Sequence, residues 1–551
     1  MVSKVGLART GVIAAAAALA FPVTADAQYE DVPRPAAYAL ENVTVIRADG
    51  RVDENITIVV RGALIEAMGS GITVPADAEV LPGDSLIVYP GLIDGAGDAD
   101  YERPDPDIDR SQLEIWNAPR AVQGFMPARR LVAHLTAVGE DLAAHRRQGI
   151  VAAAVHPDGA MMPGRGALLL HRVDATIPEQ LVLQPELGPA FALQGAPGVY
   201  PGTLFGVMTF FRQAFEDARR RGVQLAAHRD GPRGMTAPAY DPDYAVLREA
   251  LDGLPVYFEA DRAADILRVV GLADEYGFRP VIVGGGEAWK VAEALETRDI
   301  PVLVSTDFPT ARRWDPEADT TDAPLDPAAE REKRDIEDRY ANAGRLSEAG
   351  VTFALTSGGS GKILDGARKA VEYGLSEADA LTALTRTPAQ LFDVPWIPEL
   401  DEGLPATFVV ASGPLFAEDT RVVSTFVEGW LEKGATARAG GDPEAAVAFG
   451  GEWEMELDAQ GQRIDGVLVI DQEGASFTGT MTMQGMILQL VDGVIDGSAI
   501  SVTAVMEQGG QTMEIEITGT VEGDQASGEA DAGPLGVARW TAERTVPGGA
   551  R

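Results

Sequence analysis

Six side chains close apolar runs and carry groups able to act on a ligand: the carboxylates of Asp94, Asp98, Glu259 and Asp261 and the imidazoles of His156 and His228. Oxygen donors of this kind suit a hard divalent cation such as Mg²⁺, Ca²⁺ or Mn²⁺. An imidazole at a strand end beside them suits a general base, the role open to His228. Each also has a purely structural reading. Asp94 fits a fixed turn in "PGLID", Asp261 fits the cap of the helix that follows it, and His156 and His228 fit loop histidines bonded to backbone. Arg165 sits between glycines in "MMPGRGALLL", where its planar fork suits a ligand carboxylate or a surface salt bridge.

Several reaction classes lack the residues they need. The chain has no cysteine, hence no thiol nucleophile and no disulfide, and no G-x-S-x-G elbow. "SGGSGKI" (357–363) has Thr356 where a phosphate loop needs its leading glycine and Ile363 where it needs Ser or Thr, so it reads as a flexible strand-end loop.

The elements that must position these groups are legible in the hydrophobic pattern. Runs such as "GIVAAAVH" (149–156), "GVQLAAH" (222–228), "LPVYFEA" (254–260), "RPVIVGG" (279–285), "IPVLVST" (300–306) and "GVTFALTS" (350–357) are continuously apolar, as strands buried on both faces should be. Between them, Thr203 caps a helix with Val207, Phe211 and Phe215 on one face, and Asp261 begins another with Ile266, Val269 and Val270. Repeated βα units over 89–390 predict a parallel (β/α)₈ barrel of the TIM type, with chemistry at the C-terminal strand ends; a doubly wound open sheet is the other architecture with this pattern. Alternating, Gly-punctuated segments at 28–88 and 391–436 predict a small composite β-sandwich built from both flanks. After a linker at 437–447, short strands with Gly turns over 448–545 predict a separate antiparallel β domain, with Met481, Met483, Met486 and Met506 as core filling.

The stretch 38–433 resembles the imidazolonepropionase-like branch of the amidohydrolase superfamily. The motifs that carry this are "PGLID", "LPVYFEADRAADILRVVGLADEYGFRPVIVGGGEAWKVAEALETRDIPVLVS", "GVTFALTSGG", "EADALTALTRTPAQLFDV" and "LPATFVVASGPLF". The resemblance implies a (β/α)₈ barrel bracketed by a β domain, and hydrolysis of carbon–nitrogen bonds other than peptide bonds, in cyclic amides or peptide-like substrates, by metal-bound hydroxide. It also implies where the metal ligands should stand, and those positions hold Ala96, Asp98, Glu259, Gly284 and Gly358. No imidazole remains among them. The expectation is therefore no bound cofactor, and a non-hydrolytic relative that binds a small, cationic ligand or partners an active amidohydrolase paralogue. Candidate binding residues are Arg165, Glu259, Asp261 and Lys290. The alternative is an active hydrolase with a divalent metal ion on Asp98, Glu259 and Asp261 and His228 as base.

Net charge is −39, from 84 acidic and 45 basic residues in 551, which argues against nucleic acid and anionic membrane as partners. No apolar run outside the N-terminus is long enough to span a bilayer. Residues 1–27 have the order of a secretory signal peptide: Lys4 and Arg9, an apolar stretch to Phe21, then Ala25-Asp26-Ala27. The mature chain is expected to start at Gln28 and to be periplasmic or secreted. N-terminal sequencing of exported material checks this, and a product still beginning at Met1 would defeat it.

Overall fold

The computed structural model describes residues 35–547, apart from 84, 104–112, 233, 310, 312–313, 315–325, 419, 435–446, 460–461, 475, 484–485, 509–510 and 532–536. The expected signal peptide and nearly all of the expected linker lie outside the described residues. No helix among the described residues is long and apolar enough to cross a membrane.

Five strands open the chain: β1 (Ala37–Ile46), β2 (Val52–Arg61), β3 (Leu64–Gly69), β4 (Ala78–Pro82) and β5 (Ile87–Pro90). The central region then supplies β6 (Leu92–Gly97), β7 (Ile150–Val155), β8 (Gly164–Arg165), β9 (Ala167–Leu170), β10 (Val182–Gln184), β11 (Pro189–Ala192), β12 (Pro255–Ala260), β13 (Arg279–Gly284), β14 (Val302–Ser305) and β15 (Phe353–Thr356). Three more strands follow, β16 (Phe408–Ala411), β17 (Val422–Val427) and β18 (Trp430–Lys433).

The two flanks meet in one eight-stranded sheet of order β18-β17-β16-β5-β1-β2-β3, with β4 also on β1. Its hydrogen bonding runs through a single forked sheet. β1 carries β4 along its first half and β5 along its second, both parallel, on either side of an irregularity between Leu40 and Val43. The fork wraps an apolar cluster that includes Leu40, Val45, Ile58, Val88, Phe408 and Phe426. Because β16 pairs antiparallel with β5, residues 408–411 lie against 87–90, the strand that runs directly into β6. The sheet thus fixes where the central strands begin.

Those central strands form two sheets, β10-β9-β7-β6 and β15-β14-β13-β12-β11-β8, that face each other around one core, with one departure from the all-parallel expectation. β6 and β7 are parallel, as are β11 through β15 in sequence order. Between β7 and β11 the chain runs backwards: β9 pairs antiparallel with β7 and β8 antiparallel with β11. Gly166, between β8 and β9, lets this segment turn from one neighbour to the other; a Cβ there would stand 2.6 Å from the Val155 carbonyl oxygen. The two sheets meet at β15 and β6 through side-chain hydrogen bonds rather than a strand ladder. The buried Asp94 carboxylate accepts from the Thr356 hydroxyl (2.6 Å) and the Ser357 N–H (3.1 Å), and the Ala96 N–H donates to Thr356 Oγ1 at 2.9 Å. Asp94 is therefore committed to holding the barrel shut.

The run "GVQLAAH" is not a strand. It lies within a 27-residue helix, Leu204–Asp230, whose N-terminus is capped as expected by Thr203, accepting from the Gly206 N–H at 3.2 Å. Val207, Phe211, Ala214, Phe215 and Ala218 are its last buried side chains, so the final dozen residues project past the core. Apolar content alone does not separate a short buried strand from a helix segment, and here no break interrupts the helix begun at Thr203.

The C-terminal strands β19 (Gly451–Ala459), β20 (Gln462–Glu473), β21 (Ser476–Met483), β22 (Met486–Asp496), β23 (Ala499–Gln508), β24 (Gln511–Glu522), β25 (Gln525–Asp531) and β26 (Val537–Pro547) close into an antiparallel barrel, β26 pairing back onto β19. Met481 and Met483 are buried in its core, beside Trp453 and Trp540; the side chains of Met486 and Met506 lie outside the described residues. Space among Phe449, Met455, Phe477 and Trp540 amounts to about 10 Å³. That is at most the room of a single water, so this part of the interior is filled by side chains rather than open to a ligand.

Candidate functional site

A cavity of about 570 Å³ opens at the C-terminal ends of the central strands. That volume falls within the range that holds small organic ligands. Every position at which the family resemblance places a metal ligand lines it: Ala96 and Asp98 from β6 and its exit, Glu259 from β12, Gly284 from β13 and Gly358 after β15. Asp261 also reaches the wall, and β7 contributes His156 and Asp158 from its exit loop. Convergence follows from the barrel, since parallel strands all deliver their last residues to one rim.

The rim is acidic, with carboxylates outnumbering its one described cation, Arg103, which pairs with Asp158 and also attracts Asp98. Burial pushes the Asp98 carboxyl above its ordinary range; the Ala99 N–H and His145 oppose the shift, and Asp158 and Asp100 add to it. Burial likewise raises Glu259, with Asp158 and Asp261 adding repulsion. The Glu259 side chain faces the open cavity, yet the surrounding walls strip enough water from it to disfavour the charge. Asp158 pairs with Arg103, whereas among the described residues neither Asp98 nor Glu259 has an ion-pair partner.

His156 is half-buried at the cavity wall. Its ring packs on Tyr257 with centroids 4.5 Å apart, and neither ring nitrogen is solvent-accessible or hydrogen-bonded. Burial pulls its pKa down to about 4, opposed only by the nearby Gly95 backbone, which does not reach bonding geometry, so the imidazole is neutral at physiological pH. Burial raises the Tyr257 phenol, which stays protonated. This part of the cavity wall is thus neutral and polar while the rim is acidic.

These residues do not fit a metal ion. Among the described residues no three His, Cys, Asp or Glu side chains are grouped to hold one. Ala96, Gly284 and Gly358 offer no side-chain donor, and Asp261 is occupied, accepting from the Gly286 N–H at 2.8 Å and pairing with Arg339 at 3.2 Å. Asp98 and Glu259 remain, fewer than the three protein ligands of a catalytic zinc site or the six or more oxygens of a calcium site. The backbone at two of these positions also excludes a larger residue. Gly284 has φ +98°, a conformation L side chains rarely adopt, and a Cβ on Gly358 would come within 2.6 Å of Ser305 Oγ.

Other expected site residues are placed elsewhere. His228 stands in the last turn of the Leu204–Asp230 helix, not at a strand end, which removes it as a base for this cavity. Arg165 does not line the cavity; its guanidinium pairs with Glu186 (3.0 Å) and Glu249 (3.4 Å), the salt-bridge reading of that residue. Lys290 pairs with Glu287 at 2.7 Å and lies over the Trp289 ring, also away from the cavity. Asp261 does not cap the helix after it: Ala263–Tyr276 has Arg262 at its N-cap, and its first N–H donates to Glu287 Oε2 at 2.9 Å. Asp158 and Tyr257 carry no sequence signal beyond lying near strand ends. His156 had one, as one of only five histidines and the last residue of its strand run.

No family model matches this sequence, and no curated protein matches it. Among solved structures, an amidohydrolase from Thermotoga maritima MSB8 superposes over 72% of this chain and 99% of its own, at 22% sequence identity and TM-score 0.57. A Xaa-Pro dipeptidase with methionine bound in its active site (13% identity, 72% and 100% of the two chains, TM-score 0.41) and an ochratoxinase from A. niger (15%, 72% and 96%, TM-score 0.40) align more loosely. Over 72% of its length, this chain is similar in fold to an amidohydrolase.

Proposed function

We propose that this is an exported, amidohydrolase-related protein that binds a small amine-bearing molecule in the strand-end cavity and does not hydrolyse it with metal-bound hydroxide. The observation that carries the reading is the rim itself. Asp98 and Glu259 both have raised pKa values and, among the described residues, no salt-bridge partner, the nearby Arg103 being paired with Asp158, on a wall whose other ligand positions are glycine or alanine. A cavity kept open and acidic has an unfavourable term that an ammonium group relieves, because each carboxylate regains a charge-assisted hydrogen bond. Small residues at 96, 284 and 358 leave room for such a guest where the family resemblance implies two imidazoles and a carboxylate.

Thermal unfolding of the purified mature chain against simple amines, cationic dipeptides and divalent ions tests this. A binder at about 100 times its Kd is expected to stabilise the fold by about 2.7 kcal/mol. Glu259→Gln should remove most of that gain without lowering the baseline Tm. Stabilisation by Mg²⁺, Mn²⁺ or Zn²⁺ in place of amines, with chelator-sensitive amide hydrolysis, would overturn the reading in favour of a carboxylate-held metal.

A further inference from the structure

A second cavity, of about 430 Å³, opens at the opposite ends of the central strands. Its wall includes Pro255 and Arg279, the first residues of β12 and β13, Pro301 just before β14, and Asp274 from the last turn of the Ala263–Tyr276 helix. Its volume suits a small organic molecule. Among the described residues Tyr257 alone lines both cavities, and it is 3% exposed, so the two are separate spaces that share one buried side chain. Chemistry in such barrels belongs to the C-terminal strand ends, which leaves this end free to bind without reacting.

The charges on this wall balance, but only half of them are paired. Arg298 holds Asp274 through hydrogen bonds of 2.9, 3.2 and 3.0 Å. Arg279 and Asp299 line the same space, and among the described residues neither side chain has an ion-pair or hydrogen-bond partner, in each other or elsewhere. One guanidinium and one carboxylate are thus left over. Much of the remaining wall is apolar, with Phe278, Val281 and Ile300 buried and Leu391 beside them on the lining.

We infer that this cavity is a second ligand site, and that it takes a small zwitterion with an apolar body, the chemistry of an apolar amino acid. Arg279 receives the carboxylate, for which its planar fork is suited, and Asp299 receives the ammonium. A simple anion would gain Arg279 and meet Asp299 as a like charge; a simple cation would meet the reverse. A zwitterion uses both, and its apolar side chain removes part of the Phe278 and Val281 surface from water. The inference does not depend on the strand-end cavity binding amines.

Titration calorimetry of the mature full-length chain with L-leucine and 4-methylpentanoate, its analogue without the amino group, tests the site. Leucine is expected to bind about tenfold or more tightly, the effect of about one charge-assisted hydrogen bond. Asp299→Asn should erase that preference, and Arg279→Gln should weaken both ligands by about tenfold. Both side chains are exposed and unpaired, so the Tm of each ligand-free variant should match that of the unmodified protein. Equal binding of the two ligands by the unmodified protein, or no binding of leucine, would overturn the inference. So would leucine binding that Glu259→Gln weakens while Arg279→Gln and Asp299→Asn leave it intact, since that pattern places the zwitterion in the strand-end cavity.

Discussion

Acidification from pH 6.5 to 4.5 is expected to cost the folded chain about 4.5 kcal/mol through two histidines alone, since each contributes up to about 1.4 kcal/mol per pH unit between its folded and unfolded pKa values. Burial lowers His156 to about 4 and His171 to about 3; His145 and Arg146 add to the His171 shift, and its bond to the Ile150 carbonyl opposes it. In the unfolded chain both protonate near pH 6.5. Below that value the unfolded state takes up protons that the folded state refuses, so stability falls with pH until the folded pKa values are reached. His145, also lowered by burial, acts in the same direction. Asp98 and Glu259 act in the opposite one: their raised folded pKa values make protonation stabilising as pH drops through the carboxylate range. Urea unfolding followed by circular dichroism at several pH values measures the slope. His171→Phe and His156→Phe should each flatten it by about 1.4 kcal/mol per pH unit. Single variants that keep the full slope would show that these imidazoles protonate without opening the fold.

Arg146→Met is expected to destabilise the protein by about 3–5 kcal/mol, the cost of stranding the partners of a buried charge. The Arg146 side chain is 2% exposed and lies in the Ala143–Arg147 helix that leads into β7. Two of its guanidinium nitrogens reach Glu432 on β18, at 2.9 and 2.7 Å, and a third donates to the Gly139 carbonyl at 2.6 Å. The pair pins the barrel to the flanking sheet, and the Thr425 hydroxyl on β17 reinforces the contact by donating to the Arg146 carbonyl at 2.6 Å. Lysine at this position should recover little, because a single ammonium cannot reproduce the planar fork. Arg146→Met combined with Glu432→Leu should recover most of the loss, since apolar groups of similar volume leave no uncompensated charge. A change under about 1 kcal/mol in the single variant would show that the pair is screened as a surface bridge is.

The candidate site is partly legible in the sequence. A resemblance in motif order is enough to say that residues 96, 98, 259, 284 and 358 belong together, although they are spread over more than 260 positions, and the barrel brings all five to one cavity. What the pattern cannot carry is which polar groups are free. Asp261 and Glu259 look alike in sequence, yet Asp261 is held by Gly286 and Arg339 while Glu259 has no partner among the described residues. Lys290 and Arg165 look available and are paired. For Asp261 and Arg165 the partners stand 21 to 84 positions away in the chain, and spacing does not encode them.

By itself the sequence determined the strand-and-helix alternation, the separate C-terminal β domain and the set of small or acidic residues at the strand ends. Each follows from local periodicity, turn chemistry or residue identity, which act within a few positions. Only the tertiary structure decided three other things. The run 222–228 is helical, because its apolar residues extend a helix already capped at Thr203 and no neighbouring strand claims them. The segment between β7 and β11 runs antiparallel, because Gly166 allows it to pair first with one neighbour and then with the other. His156 is left with both nitrogens unpaired against Tyr257, because the packing of three distant segments determines what lies within hydrogen-bond reach of a buried ring.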